Sequence, residues 1–357
     1  MTGGRRGVAV AALVVALAAG GTLIARGPGG GGGPQRPPGR LSAAAAWPRA
    51  PIVTVDPAMP DGPLFTPALF LDTTTAIGTA PTPSGAQVRL VLRSGDAAPR
   101  ELRRVPLDDN PQFEAFAVAG DDIVWAESGD GHPVRIWQAR RTGGAARLLT
   151  SDTGEAVFNG TQYDLVVADG RVHWAAAGRA GGKTTEIRSV ALAGGPVAVR
   201  TEPGQWSQTA WPWLADDTEN RLRNTATGRD AEIATAGPNQ VTCSPVWCRV
   251  MVLSGDGLAR IDLMHPDGSA RRRIAGGGAQ AAVNDVAVLD RFEILAEPGP
   301  DTDLTGTAAL LVYDIATGNT VVVAAAADGA FSRGGMLWWS TGDDDTIAWH
   351  ALDLRTA

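Results

Sequence analysis

Lysine is nearly missing from this chain: Lys183 is the only one among 31 cationic residues, and 38 carboxylates leave a net charge of −7. Binding nucleic acid requires clustered cations that displace counterions from phosphate, so that class of function is excluded. The preference for arginine, with its accompanying alanine excess, is the usage of a GC-rich genome and is taken as background. Histidine is scarce as well. His132, His173, His265 and His350 stand far apart, without the spacing that gathers ligands round zinc. No serine occupies a G-x-S-x-G elbow. The glycine run 29–33 lacks the strand, lysine and helix of a phosphate loop. No cofactor, metal site or catalytic residue is therefore assigned. Beyond the N-terminal run, no span of ten or more residues carries a period near 3.6, which excludes a stack of helical repeats.

What is present begins with an address. After Arg5 and Arg6, VAVAALVVALAAGGTLIA (8–25) is a charge-free run of 18 residues, its bulk supplied by Val8, Leu13, Val14, Val15, Leu17, Leu23 and Ile24. The preceding arginines orient it with its N-terminus in the cytoplasm. Residues 1–26 are a signal-anchor or a signal peptide. Ala16-Leu17-Ala18 offers a cleavage site, while the run continues to Ala25 and no lipobox cysteine is available. A single-pass membrane protein with its C-terminal domain outside the cytoplasm is the leading expectation, and a secreted protein is the alternative. Residues 27–49 follow as a Gly/Pro-rich tether, floppy and then extended, reaching roughly 20 Å as a flexible chain.

From residue 50 onward the chain repeats itself. GDDIVWAESG (120–129), DGRVHWAAAG (169–178) and GGMLWWSTG (334–342) share a turn, an apolar run, a tryptophan and a following glycine; CRVMVLSG, RFEILAEPG and WPWLADD are weaker copies. Anchored on Trp125, Trp174, Trp213, Met251, Leu295 and Trp338, the steps are 49, 39, 38, 44 and 43 residues. Each unit adds runs of period two closed by Gly, Asp or Asn turns, such as VRIWQARRTGG and LARIDLMHPDG. Four short antiparallel strands per unit make a propeller blade. The fold expected for 50–357 is all-β: a β-propeller of about seven four-stranded blades, with six and eight as the neighbouring counts. It is expected as a monomer.

The turn after the third strand, as in LVYDIATGN (311–319) and RIDLMHPDG (260–268), resembles the TolB-like and WD-repeat propeller superfamily, although the Gly-His and Trp-Asp signatures are missing. The chain also resembles the membrane-anchored propeller proteins of actinobacteria. Such a resemblance implies a ligand or partner at the mouth of a central channel. The function expected is an extracytoplasmic binding module for a protein or cell-envelope ligand. The alternatives are a propeller hydrolase or lactonase with a central metal, and a purely structural envelope protein.

Particular residues sharpen this. Trp206, Trp211 and Trp213 are the densest aromatic group, either a platform for a ligand or partner or a filling between blades. His173 is expected to be architectural, since Val124 and Val250 hold equivalent places. Asp301 with Asp303, and Asp343 to Asp345, are expected at solvated hairpin tips. Cys243 and Cys248, in CSPVWC, are expected to be oxidised to a disulfide outside the cytoplasm. The final unit stops short of an outer strand, and APIVTVDP (50–57) has the alternation to supply it, so Ile52 to Val55 is expected to close the ring.

Overall fold

A run that alternates apolar and polar residues can bury one face only by pairing with neighbours and stacking on another sheet. The computed structural model, which describes residues 40–178, 184–216, 220–235, 239–255, 257–343 and 346–357, realises this as antiparallel sheets arranged in chain order. The largest sheet is two blades sharing one long strand, Asn319–Arg333. Its first half pairs with Ala308–Asp314 and its second with Met336–Thr341. Seven blades result, at 66–106, 112–150, 155–203, 207–232, 239–276, 280–324 and 328–353. Val8, Leu13, Val14, Val15, Leu17, Leu23, Ile24 and the tether up to Gly39 lie outside the described residues.

Every repeat anchor falls on the second strand of its blade. Trp125 and Trp174 are fully buried, filling the layers between the first and second and between the second and third blades. The Trp174 indole donates to the Thr153 carbonyl at 2.9 Å. The glycine that follows each has a steric reason: a Cβ on Gly129 would stand 2.7 Å from the Asp109 carbonyl oxygen, and one on Gly178 would stand 2.7 Å from that of Thr184. DGRVHWAAAG is thus a piece of architecture. It opens at Asp169 and Gly170, whose φ values of 50° and 70° form the two-residue turn into the strand. The first blade has no tryptophan in its second strand, Thr75–Pro81, so the repeat pattern passes over it.

The ring closes as expected. Val53–Val55 pairs antiparallel with Ala348–Asp353, matching Val53 with Ala351, Thr54 with His350 and Val55 with Trp349, and so supplies the outermost strand of the seventh blade. One boundary is corrected: the folded unit begins at Arg40, inside the expected tether. Residues 41–49 are not rich in glycine or proline, and they bury apolar surface. Leu41–Ser42 pairs parallel with Val321 and Val322 as a fifth strand of blade six. Ser42 caps the single turn Ala43–Ala46, and Trp47, 5% exposed, meets Phe292 edge-on at 5.6 Å between blades six and seven.

Candidate functional site

The residues singled out by sequence are dispersed. Trp206 is buried between blades three and four, donates to the Pro203 carbonyl at 2.7 Å, and lies beneath the guanidinium groups of Arg221 and Arg223. Trp213 packs against the core between blades four and five. Trp211 lies against the His173 ring, their centroids 4.0 Å apart. Trp211 also packs against the cluster that holds Trp206, whereas Trp213 belongs to the next layer. Cys243 and Cys248 face each other across a hairpin and are disulfide-bonded, with 4.0 Å between their Cα atoms. Asp301 and Asp303 are exposed at a hairpin connection, Asp343 accepts from Thr346, and Asp344 and Asp345 lie outside the described residues.

His173 shares a 530 Å³ cavity between blades three and four with Asp169 and Ser189, a trio that suggests nucleophilic catalysis by composition. Its wiring does not. His173 Nε2 lies 3.4 Å from the Ala168 carbonyl, and the Ser189 hydroxyl accepts from Arg171 at 3.0 Å. Burial pulls the His173 pKa below its ordinary value. His265 and His350 stack on Trp247 and Trp339. Among the described residues, no three His, Cys, Asp or Glu gather as a metal-ligand set.

The polar chemistry converges on the channel. Blade three splits its innermost strand into Glu155–Ala156 and Val166–Ala168, and the residues between form a strap across the ring. Asp164 folds the strap on itself, accepting from the backbone of Asn159 at 2.9 Å and of Thr161 at 3.1 Å, and from the Thr161 hydroxyl at 2.9 Å. Outward, the strap reaches three other blades. The Asn159 amide donates to Ser207 at 3.1 Å, Asn284 donates to the Asn159 carbonyl at 2.7 Å, and Gly334 N–H donates to Gln162 at 3.0 Å. Arg333 donates to the Thr161 carbonyl at 3.0 Å and to that of Phe116.

One side of the strap borders a chamber of about 400 Å³, lined by the inner strands and loops of blades three to six. Its wall is rich in hydroxyls and amides: Ser207, Gln208, Thr242, Ser244, Asn159 and Asn284. Gln208, 6% exposed, turns its Nε2 toward the carbonyls of Asp164 and His173 at 3.5 Å, and its Oε1 has no partner. Asp285, also 6% exposed, receives the Gln162 backbone N–H at 3.3 and 3.2 Å, long for bonds to a carboxylate. Burial pushes the Asp285 pKa up to about 6; the Gln162 N–H and Arg333 oppose the shift, and Asp164 adds to it. Burial likewise raises Asp164, whose hydrogen bonds from Asn159 and Thr161 offset part of the rise.

A second layer holds this geometry. Arg249 and Glu293 form a buried ion pair linking blades five and six. Arg249 also donates to the carbonyls of Val283 at 3.1 Å and Asp285 at 2.6 Å, and Glu293 accepts from the Ala287 N–H at 2.8 Å. Just past Asp285, Ala287, Leu289 and Asp290 all take left-handed φ, between 48° and 58°. Such backbone persists only where its surroundings over-determine it, as the Arg249 clamp does here. Sequence reasoning passed over all of these residues. The legible signal was the repeat: two places before the anchor stand Ile123 and Val172 in blades two and three, but Arg249 and Glu293 in blades five and six.

No protein-family model and no curated protein sequence matches the chain. Solved structures do. A puromycin-hydrolysing peptidase of Mycobacterium tuberculosis superposes with a TM-score of 0.53 at 15% identity, covering 89% of this chain and 53% of that one. In fold, the chain is a β-propeller. The β-propeller domain of the Trilobed protease of Pyrococcus furiosus, whose published description is of an open velcro topology, gives 0.45 at 9% identity over 68% of this chain and 82% of that one. A TolB-type protein of Agrobacterium tumefaciens gives 0.40 at 14% identity over 71% and 93%. The propeller spans about half the length of the mycobacterial peptidase, and at these identities the likeness concerns fold alone.

Proposed function

We propose that the propeller is a ligand-binding module displayed outside the cytoplasmic membrane on its N-terminal segment, and that it takes a small polar fragment of the cell envelope into the channel chamber. One observation supports this reading: a channel cavity of about 400 Å³ is walled by the hydroxyls and amides of Ser207, Gln208, Thr242, Ser244, Asn159 and Asn284. The volume lies within the range of small-molecule pockets.

Two measurements test the reading. Protease added to intact spheroplasts should digest the propeller, whereas protection until lysis would overturn the location. Soluble fragments from digested envelope should raise the melting temperature of the full-length protein in detergent, and Thr242→Trp, which fills the chamber, should abolish that rise. An equal rise in the variant would show that ligand binding lies elsewhere.

A further inference from the structure

The strap borders a second cavity, of about 530 Å³, which shares only Tyr163 with the chamber. It is a mouth of the channel, formed where the inner strands of blades one, two, three and seven end. Its lining combines two kinds of surface. Leu71, Val118, Val166 and Val167, each half-buried, give it an apolar wall. The charged groups are all cations, Arg141, Arg333 and Arg355, and no carboxylate stands among the lining residues.

Two of these arginines are already engaged. Arg355 pairs with Asp353 at 2.8 Å and donates to the Leu71 carbonyl at 3.1 Å. Arg333 donates to the carbonyls of Phe116 and Thr161 and has Asp285 and Asp164 within electrostatic reach. Arg141 is different. It follows the third strand of blade two, His132–Arg140, and with neighbouring strands 4.7–4.9 Å apart its backbone stands about 10 Å out from the inner strand. The part of Arg141 that reaches the mouth is therefore its side chain. The backbone beneath it is fixed, since its N–H donates to the Asp121 carbonyl at 2.7 Å and its carbonyl accepts from Arg100 at 3.2 Å. The side chain itself is exposed and has no hydrogen-bond, ion-pair or ring partner among the described residues. Gly120, at φ 58°, adds no side chain to the same rim.

We propose that this mouth is a second binding site, for a small amphiphilic anion: a carboxylate or phosphate monoester whose charge meets Arg141 and whose apolar body lies on Leu71, Val118, Val166 and Val167. The proposal goes beyond the chamber reading and does not rest on it. The volume suits a small molecule. A cation would meet like charge here, and a wholly polar anion would leave the apolar wall in water. Guanidinium groups match carboxylate and phosphate oxygens alike, so the two headgroups are separated by measurement.

Isothermal titration of the full-length protein in a nonionic detergent makes the test, with short probes that stay in water: hexanoate against hexanamide, and hexyl phosphate against hexanol. In whichever arm binds, the anion should bind at least about tenfold more tightly than its neutral partner, the scale of one charge-assisted contact. Arg141→Gln should erase that preference, and Arg141→Lys should keep part of it. Thr242→Trp, on the chamber wall, should leave it unchanged. Equal affinity for anion and neutral probe would overturn the proposal, and so would a preference that survives Arg141→Gln or the absence of binding by both anions. Loss of the preference in Thr242→Trp would place the anion in the chamber and overturn it too. Envelope fragments that give a thermal shift sensitive to Thr242→Trp but not to Arg141→Gln would uphold the chamber reading whatever the fate of this one.

Discussion

Replacing Asp285 with asparagine should make the propeller more stable at pH 7.5. The carboxyl is 6% exposed and burial lifts its pKa to about 6, whereas in the unfolded chain it titrates near the ordinary value of about 3.9. The folded state therefore holds the proton more tightly. On account of Asp285, stability is greatest below about pH 4 and is lost as pH rises through about 6. Above that, keeping the group ionised costs about 3 kcal/mol. Asparagine retains an oxygen for the Gln162 N–H and carries no charge, so this figure is the ceiling on the gain. At about 2–4 °C per kcal/mol for a domain of this size, the melting temperature should rise by several degrees. The assay is a pair of thermal melts, wild type and variant, from pH 4 to 8. The difference should be largest above pH 7 and close toward pH 4; because Asp164 is present in both proteins, its own titration largely cancels. A variant that melts lower at pH 7.5, or a gap that does not change with pH, would refute the assignment.

Three other predictions concern the scaffold. Trp47→Ala should destabilise the seam between blades six and seven by about 3–5 kcal/mol in a denaturant titration, because it empties a buried aromatic site against Phe292; an unchanged midpoint would show that residues 40–50 do not belong to the folded unit. Gly129→Ala should lower the melting temperature by the equivalent of about 1–3 kcal/mol, since its Cβ would press on the Asp109 carbonyl at 2.7 Å, and a neutral result would remove the steric account of the repeat glycine. Thiol titration should find no reactive cysteine before reduction, and replacing both Cys243 and Cys248 by serine should cost ~2 kcal/mol, the entropy of so short a closed loop, with an unchanged circular dichroism spectrum. Two thiols titrating in the native protein would contradict the disulfide.

The scaffold was legible in sequence because strand pairing and burial leave periodic marks. Trp125, Trp174 and Trp338 recur at blade spacing, and the alternation in IVTV was enough to expect the closing strand. The first blade was passed over because its second strand, Thr75–Pro81, carries no tryptophan, and the 40–49 boundary was missed because an alanine run looks like linker until Trp47 is seen buried. The site was not legible in the same way. Asp285 and Gln208 are 77 residues apart and meet only because a ring brings blades four and six to one channel, and the strap between them is irregular backbone without a period. Arg249 and Glu293 could have been found, as two charges of opposite sign at apolar positions of adjacent repeats.

The seam has a consequence for the order in which the molecule is made. Thr54 and His350 pair across a separation of 296 positions, so the strand that completes the last blade leaves the ribosome before the first blade and must wait for its partner until nearly all seven blades have emerged. At about 5–20 residues per second, that wait is roughly 15–60 s. Throughout it, one edge of Val53–Val55 is an open template for pairing with other chains, and so is the free edge of Ala348–Asp353 until the two meet. Folding of this protein is therefore a race between ring closure and edge-to-edge association, and substitutions that slow the meeting of the two ends should reduce yield before they reduce the stability of the finished ring.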